Sequence, residues 1–291
     1  IRSWLDRRHP EAALISEWGI PSEAIAAGFH IDFMIHIGVP GFPSLFFKGK
    51  NRHCFFDSRG GGTISEFLDE YTKQQRKMRG GYISIPSANH DMPRPGYNRS
   101  KADLEVIFAF LLTWPGVPFL YYGDEIGMRF LPDLPSKEGG YGRTGTRTPM
   151  QWDGSRNAGF SKAAPSKLYL PIDPQARRPT VRAQESEPRS LLYHVRRLVA
   201  LRKSSPALGA RGKMTPVFAA PGRYPFVYLR QWRRVRDLVA LTPAKTPVSG
   251  RVVAAGLGEM HRVLGRGVKI STRGGRCEIS MAGTSYGIYK V

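Results

Sequence analysis

The chain has 291 residues, 41% of them hydrophobic, which is enough for one large core and a smaller one. Lys and Arg outnumber Asp and Glu by 44 to 23, a formal charge of +21 that raises a nucleic-acid or anionic-surface partner. The basic residues are scattered, however, and the denser groups (Arg7-Arg8, Arg177-Arg178, Arg233-Arg234) lack the interleaved aromatics of an RNA-binding sheet, so nucleic acid is disfavoured. No run of about 18 apolar residues appears, so no membrane span is expected. Cys54 and Cys277 lie far apart and read as free thiols. The first residues lack a signal peptide's apolar core, and the reading leans toward a cytoplasmic location. With no initiator Met, the chain is expected to begin inside a longer protein.

In chain order, Trp4–Arg8 reads as the tail of a helix closed by Pro10. An apolar strand, Ala13–Trp18, ends in Glu17 and Trp18, and a short helix is expected near Pro21–Ala27. Phe29–Met34 is the next strand, followed by a Gly- and Pro-rich loop over Gly38–Asn51. Thr63–Arg79 is a helix with Ile64, Phe67, Leu68 and Tyr71 on one face and Glu66, Asp69 and Glu70 on a solvated one. Gly60-Gly61-Gly62 lacks the Lys-[Ser/Thr] of a phosphate loop and reads as a flexible turn. Strand Tyr82–Ile85 runs into the polar cluster Ser87-Ala88-Asn89-His90-Asp91.

Ser100 and Asp103 form an approximate capping box for a helix that Pro115-Gly116 stops. Val117–Tyr122 is expected as a strand ending at Gly123-Asp124-Glu125, and a long irregular stretch fills Gly127–Glu187. Leu191, Leu192, Val195, Leu198 and Val199 mark a helix over Pro188–Lys203. Beyond Pro206 the segments at Phe226–Leu229, Leu238–Leu241, Val268–Ser271 and Ser285–Tyr289 alternate, as in a small antiparallel β-domain. About four strand–helix units are half of an eight-stranded barrel, although four parallel strands could also stand as an open sheet. The fold class is expected to be α/β, a truncated (β/α)8 TIM barrel followed by an antiparallel β-domain; that residues 1–207 are the barrel's second half and residues 208–291 a C-terminal antiparallel β-sandwich is implied by the family resemblance that the following motifs carry.

The motifs in this order resemble the α-amylase superfamily of retaining glycosidases. Asn89-His90-Asp91-Met92-Pro93-Arg94 is similar to its fourth signature region, and Leu14-Ile15-Ser16-Glu17-Trp18-Gly19 to its third, on strand five. Val117–Tyr122 with Gly123–Met128 resembles strand eight and the loop after it. Arg147-Thr148-Pro149-Met150-Gln151-Trp152-Asp153, with Asn157–Ser161, resembles a block of α-glucosidases, oligo-1,6-glucosidases and trehalose synthases.

A retaining glycosidase needs one acid to protonate the leaving oxygen and one carboxylate to attack the anomeric carbon. The resemblance implies that Glu17 is the general acid/base, with Ile15 and Trp18 available to help desolvate it. It implies that Asp91 stabilises the oxocarbenium-like charge and that His90 donates to hydroxyls of the same sugar. Arg94 and Arg147 are candidate carboxylate or hydroxyl partners near that subsite, and so candidate substrate-binding forks, and Trp18, Phe42, Tyr97 and Trp152 are candidate apolar faces for glucose rings. Asp124-Glu125 is read as structural. His30 and Asp32, two apart on one strand, make an incomplete metal pair. No cofactor is required by the residues seen; any calcium site would belong to the missing N-terminal part. The implied partners are α-linked glucose oligosaccharides or disaccharides and the missing N-terminal half of the barrel.

The family's nucleophile, an aspartate on strand four in a Gly-Phe-Arg-x-Asp-like segment, has no counterpart here. Asp6 is the one aspartate upstream of Glu17 and sits in a charged helix. The reading is therefore an α-glucosidase-type enzyme whose 291-residue portion is inactive alone. Its alternatives are a transglycosylase or isomerase such as trehalose synthase, and a non-catalytic glycosidase-like binding subunit.

Overall fold

The structure, a computed structural model, describes residues 1–47, 53–137, 139, 141–253, 257–273 and 276–291. Its helices are α1 (Arg2–Arg8), α2 (Pro21–Ala26), α3 (Phe42–Phe46), α4 (Ser65–Lys77), α5 (Lys101–Thr113), α6 (Val181–Glu185) and α7 (Leu191–Ser204). Its strands are β1 (Ile15–Ser16), β2 (Ile31–Phe33), β3 (Tyr82–Ser84), β4 (Lys213–Phe218), β5 (Phe226–Trp232), β6 (Val235–Thr242), β7 (Val248–Val253), β8 (His261–Arg273) and β9 (Arg276–Lys290). The chain divides into two compact units, one of residues 1–85, 109–118 and 202–291, the other of 86–108 and 119–201.

In the first unit β1, β2 and β3 pair in parallel in that order, with Ile15 opposite Ile31 and Asp32 opposite Ile83. The ladders are shorter than the apolar runs that form them because the flanks bond irregularly. His30 N and Ile31 N both donate to Leu14 O, and Trp18 N donates to the Asp32 side chain rather than to a backbone carbonyl. Helix α4 buries Phe67, Leu68 and Tyr71, as its apolar stripe requires. Glu70, expected on the solvated face, is buried instead. It accepts from Gln74 Nε2 at 2.7 Å and pairs with Lys73 Nζ at 3.2 Å, and Gln74 Oε1 accepts from Ser22 N of α2. The loop expected over 38–51 holds the short helix α3, and residues 48–51 lie outside those described.

The same unit contains the antiparallel sheet, in the order β4-β5-β6-β9-β7, with β8 alongside β9. Cys277, Ile279 and Met281 alternate inward along β9 against Val227, Leu238, Val252 and Val268. Pro216, which has no N–H to donate, stands in the edge strand β4. Trp114, fully buried, packs edge-on to Tyr228 (ring centroids 5.5 Å apart) and against Phe67, Tyr71 and Phe110. Gly116 then turns the chain at φ +86, where a Cβ would stand 2.0 Å from Ile83 O, so no other residue fits. Cys54 and Cys277 are both buried, and neither forms a disulfide.

The second unit carries little regular structure. Ser100 and Asp103 cap α5 reciprocally, Ser100 N to Asp103 Oδ2 at 2.8 Å and Asp103 N to Ser100 Oγ at 3.3 Å. The strand expected over Val117–Tyr122 forms no ladder. Pro118 offers no donor, and the segment is held through Ser87, whose N donates to Phe119 O and whose Oγ accepts from Tyr121 N, both at 2.9 Å. The long segment after Gly127 is organised by one-turn helices and by α6, with Ile126, Met128, Met150 and Leu192 as a small core. Within this irregular stretch, residues 138 and 140 lie outside the described residues. No helix among the described residues is long and apolar enough to cross a membrane.

Candidate active site

Glu17 follows directly on β1 and is exposed, beside a cleft of about 480 Å³ lined by Ser16, Trp18, Glu23, Ala24, Ala27 and Phe29. Trp18 is 58% exposed and Ile15 42%, so the neighbours expected to desolvate Glu17 do not enclose it. The Trp18 indole is instead fixed at the cleft, its Nε1 donating to Glu23 Oε2 at 2.9 Å. His30 and Asp32 serve different partners. Leu14 N donates to His30 Nδ1, which leaves Nε2 to donate to Asp6 Oδ1 at 3.2 Å, while Asp32 turns to Ser16 and Trp18. No group of three or more His, Cys, Asp or Glu among the described residues is arranged to hold a metal ion.

In the other unit, Asp91 stands on an Asx turn, its N donating to Asn89 Oδ1 at 2.8 Å. Each of its oxygens meets a guanidinium: Arg147 Nη2 lies 2.7 Å from Oδ1, and Arg143 Nη1 2.8 Å from Oδ2. Arg147 also donates from Nε to His90 O at 2.9 Å, so one side chain fixes both members of the motif. His90 Nε2 lies 3.6 Å from Asp91 Oδ1, an ion-pair distance when the imidazole is protonated. A carboxylate has about four lone-pair sites, so Asp91 retains acceptor capacity for a hydroxyl. The sequence alone does not mark Arg143 as part of this site. The one signal available was its spacing of four from Arg147 in a Gly-rich segment that the structure winds into a helical turn.

Of the two roles expected for Arg94, the structure shows the carboxylate partner and not the substrate-binding one. It is fully buried, and its guanidinium is spent on Asp124 Oδ1 (2.8 Å), Tyr122 O (2.5 Å) and Thr146 O (2.9 Å). Its Cζ also lies 4.8 Å from the ring centroids of both Tyr121 and Tyr122. A side chain so enclosed meets no sugar; it holds the segment after Tyr122 in place. Ser87 Oγ donates to the other Asp124 oxygen at 2.6 Å, and burial pushes the Asp124 carboxyl up to about 6 against the pull of Arg94 and Ser87. Burial raises Glu125 as well.

Trp152 and Phe160, both about half exposed, flank a turn in which Asn157, Ala158 and Gly159 all take left-handed φ of +52 to +71. Trp152 N and Asp153 N donate to Ala158 O, and Asn157 Nδ2 to Ser161 O and Ala163 O, which accounts for this unusual backbone. Together with Tyr122, Glu125, Arg147 and Tyr169 they line a groove of about 610 Å³. Of the other expected sugar platforms, Phe42 is fully buried and cannot meet a ring, and Tyr97 is 37% exposed and edge-on to Phe130.

The family model for the α-amylase catalytic domain matches residues 60–210. The chain belongs to the α-amylase family. A trehalose synthase of Thermus thermophilus is 37% identical over 180 residues, 60% of this chain and 17% of that protein. One from Pimelobacter sp. (strain R48) is 44% identical over 155 residues, 49% of this chain and 26% of that protein. An oligo-1,6-glucosidase of Parageobacillus thermoglucosidasius is 30% identical over 195 residues, 52% of this chain and 34% of that protein. The match thus spans between 17% and 34% of these relatives. Among solved structures, an α-amylase from H. orenii superposes with a TM-score of 0.71 at 19% identity, covering 99% of this chain and 55% of that one. A MutB variant from crystals soaked with trehalulose gives 0.74 at 20%, covering 100% of this chain and 58% of that one. The fold is similar to that of the α-amylase family, a TIM barrel with a β-domain, of which this chain covers a little over half.

Proposed function

We propose that this chain supplies the acid/base and the cation-stabilising carboxylate of a retaining α-amylase-family enzyme acting on α-linked glucosides. In this reading residues 1–207 supply the second half of its barrel, with 117–122 at the place of strand eight although it forms no ladder here, and 208–291 supply its C-terminal β-domain, a single antiparallel sheet. The observation that carries the reading is Asp91, set in the family's Asn-His-Asp pattern and held by Arg147 from the family's Arg-Thr-Pro-Met-Gln-Trp block.

In this reading Glu17 donates its proton to the leaving glycosidic oxygen while an aspartate attacks the anomeric carbon. The Glu17 carboxylate then takes a proton from water or from an acceptor hydroxyl as the glycosyl–enzyme bond breaks. Asp91 faces the charge that develops on the ring, oriented by Arg143 and Arg147, and His90 and Arg147 bind hydroxyls. The attacking aspartate comes from outside these residues. Asp6, upstream of Glu17, is engaged by Arg2 at 2.8 Å and by His30 on the exposed helix α1, with its carboxyl held low by Arg2. The greater identity to trehalose synthases favours a second reading in which the acceptor is the released glucose rather than water.

Purified as 291 residues, the chain is expected to release no 4-nitrophenol from 4-nitrophenyl α-glucoside and no glucose from maltose above the buffer rate. Turnover that Glu17→Gln removes would overturn the placement of the nucleophile outside it.

A further inference from the structure

Asp32, the middle residue of β2, is fully buried and lies opposite Ser16 in the parallel register. One of its oxygens, Oδ1, accepts from Ser16 Oγ at 2.6 Å and from Trp18 N at 3.0 Å. Those are the residues immediately before and after Glu17. The ladder of β1 ends at Ser16, so the Asp32 side chain takes over where backbone pairing stops. Its second oxygen, Oδ2, has no hydrogen-bond partner among the described residues. A buried carboxylate is costly and a Val or Ile is the ordinary occupant of an interior strand position, so a half-used carboxylate here calls for a reason beyond packing.

We propose that Asp32 is a positioning residue for Glu17: by gathering Ser16 and Trp18 onto one oxygen, it fixes the direction in which the end of β1 presents the Glu17 carboxylate. The proposal rests on the acid/base reading of Glu17. Asp32 touches no reacting atom and acts through the backbone on either side of Glu17. A displacement of about 1 Å in a catalytic group can cost about a hundredfold in rate.

The test has two parts. In the 291-residue chain, Asp32→Ala should speed hydrogen exchange of the Trp18 amide by about tenfold while the amides of β3 hold, and Asp32→Asn, which keeps an acceptor at Oδ1, should stay near the parent. In a turnover-competent protein carrying this chain, Asp32→Ala should lower kcat by about ten- to a hundredfold with little change in KM. The loss should be larger for maltose, whose leaving group needs a proton, than for 4-nitrophenyl α-glucoside, and Asp32→Asn should recover most of it.

In a Glu17→Gln background the Asp32→Ala change should add almost nothing, since the group it positions is gone. An equal penalty in both backgrounds, or unchanged Trp18 exchange, overturns the proposal while leaving Glu17 as the acid/base. Full turnover by Glu17→Gln alone overturns the acid/base reading instead. Should Asp32→Ala fail to fold, Ser16→Ala removes one of the two bonds with the carboxylate retained, and the same comparisons apply at smaller amplitude.

Discussion

Arg94→Met should lower the unfolding free energy of this chain by about 3–5 kcal/mol, the cost of leaving one partner of a buried ion pair behind. Arg94 and Asp124 are both completely enclosed, and no solvent is available to take over when the guanidinium leaves. The substitution strands the carboxylate with Ser87 alone and releases Tyr122 O and Thr146 O from their donor. Arg94→Lys should lose less but still much, because one ammonium cannot span three acceptors set on two segments as the guanidinium fork does. The double change Arg94→Met with Asp124→Leu should recover most of the loss, since it removes the uncompensated charge rather than exposing it.

The loss should also depend on pH, and its sign follows from the raised pKa of Asp124. Its folded carboxyl, near 6, binds a proton more tightly than the ordinary carboxylate at 3.8. The contribution of this group to stability therefore falls as pH rises from about 4 to about 6 and is level above that. Removing Arg94 removes one of the forces that hold the pKa down, so the falling window extends to higher pH in the variant. Urea unfolding at about pH 5 and about pH 8 should show the gap between parent and Arg94→Met widening with pH. A gap that is constant, or under about 1 kcal/mol throughout, would mean that the pair is solvated in the folded protein.

The second large effect concerns turnover. In a turnover-competent protein carrying this chain, Glu17→Gln should lower kcat/KM for maltose by about 10²- to 10⁴-fold, the usual contribution of a general acid. That is about 3–5.5 kcal/mol of barrier. With 4-nitrophenyl α-glucoside the first step needs no proton, so the loss there should shift to deglycosylation, where Glu17 activates the acceptor. Glu17 is open to solvent beside its cleft, and Ile15 and Trp18 do not cover it. Asp91→Asn should slow both substrates alike, because charge on the ring develops whatever the leaving group.

Much of this was legible in the residues, and the failures have physical causes. The apolar runs ending at Glu17 and at Asn89-His90-Asp91 gave strands, and the Ser100–Asp103 capping pair formed as expected, because each is a local pattern. Val117–Tyr122 reads as a strand on propensity alone, but Pro118 and the Ser87 side chain replace the ladder. Arg94 sits beside a candidate catalytic residue in sequence, and nothing local reveals that its guanidinium runs inward to Asp124, 30 positions away. Arg143 is illegible for the converse reason: its partner, Asp91, is reached only through the turn that the chain makes before Arg147. Phe42 and Glu70 show the same limit, since helices α3 and α4 bury faces that composition alone leaves ambiguous.

The account stands most directly on where the glycosyl group is held during turnover. A turnover-competent protein carrying this chain, with Glu17→Gln to slow deglycosylation, would be treated with α-glucosyl fluoride, digested, and mapped by mass spectrometry. The account predicts one glucosyl ester on an aspartate outside these 291 residues, with Asp91 unmodified. A glucosyl ester on Asp91, or on any other residue of this chain, would contradict it.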